Sequence, residues 1–278
     1  MMREMRISFS CIDAASDPLN WIYRVDDAGF DGLEIISEGK QDIRTSEQLR
    51  EHLKQIHDTT SLTISLHAPL SDINIASLND GIWRESVRQV KQAISYAHEF
   101  VSEICVVHPG THSPLSIQMP SHIVLHRQVD ALKEICDLAA DFGMSIAVEN
   151  MTPEDMMLGR TPDELITLID AVIATGTENI GICLDVGHAF TTGTLHDFML
   201  LLKNKTDSST AYDKRILHVH LSDNFGREDE HLPLGRGHVK WDIVFDALRN
   251  FKGIAVTEML SFEDGIESLR FIRRGSWL

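Results

Sequence analysis

Histidine and carboxylate side chains recur at the ends of apolar, β-branched runs in this sequence. His67 closes SLH, His108 closes VVH, Glu149 closes AVE, Asp185 closes ICLD with His188 just beyond, His220 closes HVH, and Glu258 closes VTE. Residues two apart on a strand share a face. The pairs Ser65/His67, Val106/His108, Ala147/Glu149, Cys183/Asp185 and Val256/Glu258 therefore each put a reactive group one layer beyond a small or apolar neighbour. A carboxylate or imidazole withdrawn from water in this way must be paired, hydrogen-bonded or metal-bound. A lone histidine at a strand end is commonly a hydrogen-bonded core group. Several converging acids and imidazoles are different, because no Lys or Arg stands at these strand ends to neutralise them. A divalent cation resolves the repulsion, and mixed His and carboxylate donors suit Zn²⁺ or Mn²⁺.

Convergence requires a scaffold that brings distant strand ends together. Apolar strand candidates fall at 5–11, 32–36, 63–69, 103–110, 144–150, 180–189, 216–224 and 253–260, with amphipathic stretches between them. Helical spacing is clear in 46–60, 85–100 and 127–143. In the last of these Val129, Leu132, Ile135, Cys136 and Ala139 recur on one face and Gly143 reads as the C-terminal stop. Near-continuously apolar strands imply a parallel sheet covered by helices. Eight strand–helix units predict an α/β fold of one closed (β/α)8 TIM barrel spanning 1–278, whose reactive groups belong at the carboxyl ends of the strands. No linker interrupts the series, and 203–214 reads as a surface loop before the seventh strand.

The net charge of −17 disfavours non-specific attraction to nucleic acid or anionic membrane. Cys11, Cys105, Cys136 and Cys183 form no CxxC pair, and two of them lie in strand-like runs, so reduced thiols are expected. The N-terminus has no signal-peptide core, and no apolar run approaches the ~18 residues of a membrane span. These features predict a cytoplasmic protein.

The ordered motifs HAP (67–69), HPGTH (108–112), VEN (148–150), GICLDVGHA (181–189), HLSD (220–223), DEH (229–231), LGRGHVKW (234–241) and TEM (257–259) resemble the xylose isomerase-like TIM-barrel superfamily over essentially the whole chain. That group includes sugar isomerases and epimerases and the endonuclease IV class of AP endonucleases. The resemblance implies two ligand patterns. The sugar epimerases hold one divalent ion with residues matching Glu149, Asp185, His220 and Glu258. The endonuclease class adds a second ion at positions matching His67 and His108, with Glu149 bridging, and a third at those matching His188, Asp229 and His231. All nine positions carry the matching residue type, so one to three ions (Mn, Zn or Mg) per chain are implied. The chain departs from the endonuclease pattern at Pro69 and Leu70, which replace a Ser-Tyr segment that enters DNA. It departs again at Val186-Gly187, where Thr-Cys is usual, and at the acidic Glu230 between Asp229 and His231.

The leading expectation is a metal-dependent isomerase or epimerase of a small sugar-like carbonyl compound, with a metal-stabilised enediolate and proton transfer by Glu149 and Glu258. His188 and Arg227 are the candidates for orienting substrate hydroxyls, and His112 for a supporting hydrogen bond to a ligand or substrate. His218, on the strand of His220, reads as a core histidine one layer deeper. A trinuclear-zinc phosphodiesterase acting on DNA is the alternative, and a non-catalytic sugar-binding barrel is the third reading. Nucleic acid is thus a less favoured partner than a sugar, no membrane partner is expected, and the oligomeric state is left open.

Overall fold

The computed structural model describes residues 5–101, 103–203 and 215–275. Eight parallel strands close into a barrel in sequence order, with the last pairing back onto the first: β1 (Arg6–Cys11), β2 (Gly32–Ile36), β3 (Thr63–His67), β4 (Ile104–Val107), β5 (Ser145–Glu149), β6 (Ile180–Asp185), β7 (Ile216–Leu221) and β8 (Ile254–Met259). The expected TIM barrel is therefore the observed fold. Strands three to eight all stop short of the apolar runs that announce them, and for β3 and β4 the cause is plain. A proline follows closely after each, Pro69 after β3 and Pro109 after β4, and neither has an N–H for the ladder.

The helices are α1 (Val25–Ala28), α2 (Glu47–Thr59), α3 (Asp80–Ala97), α4 (Ser121–Asp141), α5 (Pro162–Ile173), α6 (Val186–Thr191), α7 (Leu195–Lys203), α8 (Trp241–Leu248) and α9 (Phe262–Arg274). Side-chain oxygens of Ser46, Asn79, Thr161 and Ser261 accept N–H groups of the first turns of α2, α3, α5 and α9, whose amides have no partner within the helix. Gly143, at φ 73°, follows α4 in the left-handed conformation that only glycine adopts without strain. Of the loop expected at 203–214, Lys203 instead ends α7 and the remainder lies outside the described residues.

One apolar layer fills the space between strands and helices, including Ile7, Phe9, Leu33, Ile35, Ile64 and Leu66. A second, small cluster of Ile104, Val106, Ala147 and Cys183, with Leu217 against it, belongs to the opposite strand faces. The residues expected to lie one layer below the reactive groups on three strands are thus packed together. All four cysteines are buried and unpaired. No helix among the described residues is long and apolar enough to cross a membrane.

Candidate metal centre

Strand six was expected to run to residue 189, with His188 at its end; the chain instead turns into α6 after Asp185. The Asp185 side chain makes the turn by accepting the His188 N–H at 2.6 Å. Asn150, directly after β5, braces the same turn. Its Oδ1 accepts the Asp185 N–H at 2.7 Å and its Nδ2 donates to the Asp185 carbonyl at 2.9 Å. Gly187 is needed here because a Cβ would stand 2.3 Å from Ser222 Oγ. The result carries His188 on the first turn of a helix, over the barrel mouth.

The nine expected ligand positions fall into three groups whose donor atoms lie within 4.8 Å of one another. The central group is Glu149, Asp185, His220 and Glu258, from β5 to β8, all four buried. Asp185 and His220 are direct register partners of β6 and β7. His220 Nδ1 lies 3.0 Å from Glu149 Oε1, 3.6 Å from Glu258 Oε2 and 3.8 Å from Asp185 Oδ2. The second group is His67, His108 and Glu149, with Glu149 Oε2 at 3.2 Å from His67 Nε2 and 3.0 Å from His108 Nε2. The third is His188, Asp229 and His231, with Asp229 Oδ2 at 3.0 Å and 2.8 Å from the two Nε2 atoms.

The outward ring nitrogens decide what the inward ones can do. His67 Nδ1 meets the Ala68 carbonyl at 2.8 Å, His188 Nδ1 the Asn150 carbonyl at 2.8 Å, and His231 Nδ1 the Glu258 carbonyl at 3.1 Å. A carbonyl only accepts, so each Nδ1 carries the proton and the neutral ring turns the Nε2 lone pair toward a carboxylate. Lone pair against carboxylate at about 3 Å is repulsive unless the ring gains a second proton or a cation sits between them. Two further carboxylate oxygens, Asp185 Oδ2 and Asp229 Oδ1, are buried without a hydrogen-bond partner. This donor set fits divalent ions.

Without a cation the strain appears as displaced protonation. Burial works against charge on Glu149, but His220, His108 and His67 around it hold its carboxyl well below the usual carboxylate range. Burial, reinforced by Glu149, Asp229 and Glu258 and opposed by His188, pushes Asp185 up to about 6. Burial also disfavours the charged His231 ring, yet Asp229 and Glu258 raise it to about 9.

The three groups open on a cavity of about 360 Å³, within the range of small-molecule sites. Ile12, Ala14, Ile36, Leu70, Met151 and Thr152 supply its non-ligand wall, together with Glu38 and Ser71. No Lys, Arg, Phe, Tyr or Trp among the described residues lines it. Glu38 shapes the rim by accepting the N–H groups of Leu70 and Ser71 at 2.7 and 2.8 Å. His112 stands apart from the lining, with Nδ1 3.2 Å from Ser116 Oγ, and Arg227 is exposed on the loop after β7.

Sequence reasoning missed three buried acids and amides that hold this arrangement. Asn150 and Asp223 appeared only inside motifs. Asp223 accepts the N–H groups of Asn224, Gly235 and Val239 and the Trp241 indole N–H, which explains the LGRGHVKW segment. A Cβ at Gly237 would lie 2.3 Å from Asp223 Oδ1. The third is Glu34, the one acid in the apolar strand GLEII, and that isolation was the available signal.

The family model of the xylose isomerase-like TIM barrel matches residues 22–275. An uncharacterized protein of Methanocaldococcus jannaschii is 32% identical over 252 residues, 90% of this chain and 82% of that protein. A probable endonuclease 4 of Halothermothrix orenii is 28% identical over 174 residues, 60% of each chain. Among solved structures, a D-tagatose 3-epimerase-like protein superposes with a TM-score of 0.84 at 30% identity, covering 97% of this chain and 96% of that one. A zinc-bound IolI protein, at 18% identity and a TM-score of 0.75 over 97% and 96%, shares the fold.

Proposed function

Since the chain belongs to the xylose isomerase-like TIM-barrel family, we propose that it is a divalent-metal-dependent isomerase or epimerase of a small sugar or sugar-like carbonyl compound, working through an enediolate. The observation that carries this reading is the cavity wall. A space of about 360 Å³ with no Lys, Arg, Phe, Tyr or Trp among its described lining suits a small neutral polyol. Strands of nucleic acid are held by basic grooves and stacking aromatics instead. The same wall favours an unphosphorylated sugar.

A divalent ion held by Glu149, Asp185, His220 and Glu258 would supply Lewis acidity to a carbonyl and its neighbouring hydroxyl. The chain's own carboxylates move the proton. Glu149 and Glu258 both face the space beside His220 Nδ1, at 3.0 and 3.6 Å. One accepts the carbon-bound proton and the other returns it, which inverts the centre or relocates the carbonyl. His188, in the cavity lining, orients substrate hydroxyls, and Arg227, exposed on the loop after β7 and outside that lining, is the second candidate for this role. The D-tagatose 3-epimerase-like relative supports the same class of reaction.

Metal-dependent hydrolysis of DNA phosphodiesters is the second reading, favoured by the complete second and third ligand groups and by the endonuclease 4 relatives. One experiment separates these readings. The purified protein is analysed for metal content and incubated in D₂O with ketohexoses, and in parallel with a duplex carrying an abasic site. The isomerase reading expects deuterium incorporated at carbon during turnover and an intact duplex. Three zinc ions per chain, duplex cleavage and no exchange would overturn it. Sugar binding without exchange or cleavage would leave the non-catalytic barrel.

A further inference from the structure

His220 is held differently from the other described ligand histidines whose outer nitrogen has a partner. His67, His188 and His231 each give Nδ1 to a backbone carbonyl and turn Nε2 inward. His220 is reversed, with Nδ1 toward Glu149, Glu258 and Asp185 and Nε2 pointing away from the cavity. What lies behind it is the fully buried Glu34 of β2, whose Oε1 is 3.0 Å from His220 Nε2. Both atoms are buried, neither has a hydrogen-bond partner elsewhere, and at present the contact is short of hydrogen-bond alignment. At 3.0 Å each is placed to pair with the other. The opposite carboxylate oxygen is anchored: Glu34 Oε2 accepts from Ser65 Oγ at 2.8 Å and from His218 Nε2 at 2.9 Å. His218, expected as a core histidine, is thus a donor that orients an acid one layer below the cavity.

We propose that Glu34, braced by Ser65 and His218, is a positioning residue that keeps the His220 proton on Nε2 and so presents the Nδ1 lone pair to the ion of the central group. A metal-ligating imidazole coordinates through one nitrogen and needs its proton on the other, and a carboxylate behind the ring both fixes that tautomer and strengthens the donor. A backbone carbonyl does the first task for three of the histidines; a buried carboxylate does both for His220. Glu34, His218 and His220 also offer three metal-type atoms to one another. Ser65 and His218 already donate to Oε2, however, and an ion there would have to displace those protons, so the cluster is a hydrogen-bonded brace.

The proposal rests on the central group's holding a divalent ion, and the test separates the two. Co²⁺ is titrated into wild type and into Glu34→Leu and Glu34→Gln variants, following the visible d–d absorption, affinity by chelator competition, and the unfolding temperature of the metal-free proteins. Glu34→Leu is expected to lose roughly 10–100-fold in Co²⁺ affinity with an altered d–d spectrum, and Glu34→Gln, which keeps an acceptor, to recover part of it. If Glu34→Leu does not fold, Ser65→Ala, which only loosens the brace, is expected to weaken Co²⁺ binding in the same direction by a smaller factor. A folded Glu34→Leu protein, or Ser65→Ala where that one is used, with wild-type affinity and spectrum overturns the positioning role, even if its unfolding temperature has fallen. Failure of the wild type to bind Co²⁺ overturns this role and the metal reading together.

Discussion

The central ligand group and the outer group of His188, Asp229 and His231 differ in what carries them. Glu149, Asp185, His220 and Glu258 stand at or next to the ends of four adjacent strands, none more than 4% exposed. Their spacing is set by the ladders of a closed barrel, which cannot shift one strand without its neighbours. In the outer group, His188 rides on a helix of six residues, and Asp229 and His231 on the loop between β7 and α8. That loop is pinned at its neck by the paired backbones of Asp223 and Leu232, at 2.9 and 2.8 Å, and His231 takes a left-handed φ of 48°. Asp229 has a side chain 23% exposed. The centre is thus built into the fold, whereas the outer group is built onto it by side-chain clamps. Its geometry can be loosened without disturbing the barrel, and the two can be separated by mutation.

The largest separation is expected in turnover. Glu258→Gln removes the carboxylate proposed to transfer the proton and one donor of the central group, and kcat should fall by roughly 10³-fold, within the span of general acid–base contributions. Asp229→Asn removes only an outer donor and should cost about tenfold or less in isomerisation. Steady-state kinetics on the ketohexose that exchanges best compares the two. Equal losses would join the outer group to the chemistry and move the balance toward the hydrolytic reading. A Glu258→Gln protein that still binds sugar while failing to turn it over would remove the non-catalytic reading.

Next in size is the effect of unclamping the loop. Asp223 is fully buried and accepts four hydrogen bonds from Asn224, Gly235, Val239 and Trp241. Asp223→Ala strands those donors, at about 1–3 kcal/mol for each one left buried without a partner. Two-site metal titrations should show the outer affinity reduced by roughly 10–100-fold and the central affinity within about threefold of wild type. Equal loss at both groups would mean that the loop also braces the centre and that the contrast between them is not one of scaffold against attachment.

How much of this was legible in the sequence follows the same division. Strands and their reactive ends could be read because six of the eight apolar runs, the third to the eighth, carry a His, Asp or Glu toward their carboxyl ends, and a barrel makes strand ends converge. All eight strands lie inside the expected ranges, and the nine ligand positions meet in three groups. The sixth strand was overrun because Val186, Gly187 and Ala189 continue its apolar character, and a helix of six residues is too short to declare a period of its own. Glu34 escaped because what makes it a brace is His218, 184 positions away, while GLEII by itself reads as strand alone. Asp223 and Asn150 escaped for a related reason: their partners are mostly backbone N–H and C=O groups, which every residue carries and no motif spells.

The smallest predicted effect has opposite signs in the two groups. In metal-free protein Asp185 is pushed up to about 6, by burial first and then by Glu149, Asp229 and Glu258. A carboxyl whose folded value lies above its unfolded value of about 4 binds its proton more tightly in the fold. Its charge is therefore a penalty that is absent below about pH 4, grows as the pH rises, and is complete above about pH 6. His231, raised to about 9 because Asp229 and Glu258 outweigh its burial, does the reverse. Its stabilisation is fully present below the unfolded value of about 6.5 and is lost as the pH rises through 9. Asp185→Asn, which keeps an oxygen for the His188 N–H, should therefore raise the metal-free unfolding temperature at pH 7 by roughly 5 °C and have little effect at pH 4. His231→Asn should lower it by a similar amount at pH 6, with the difference fading by pH 9.5. Thermal scans in chelator across that range measure both. If both substitutions destabilise at every pH, Asp185 is not a ligand held at a cost for want of its ion, and the built-in centre is no more strained than the attached one.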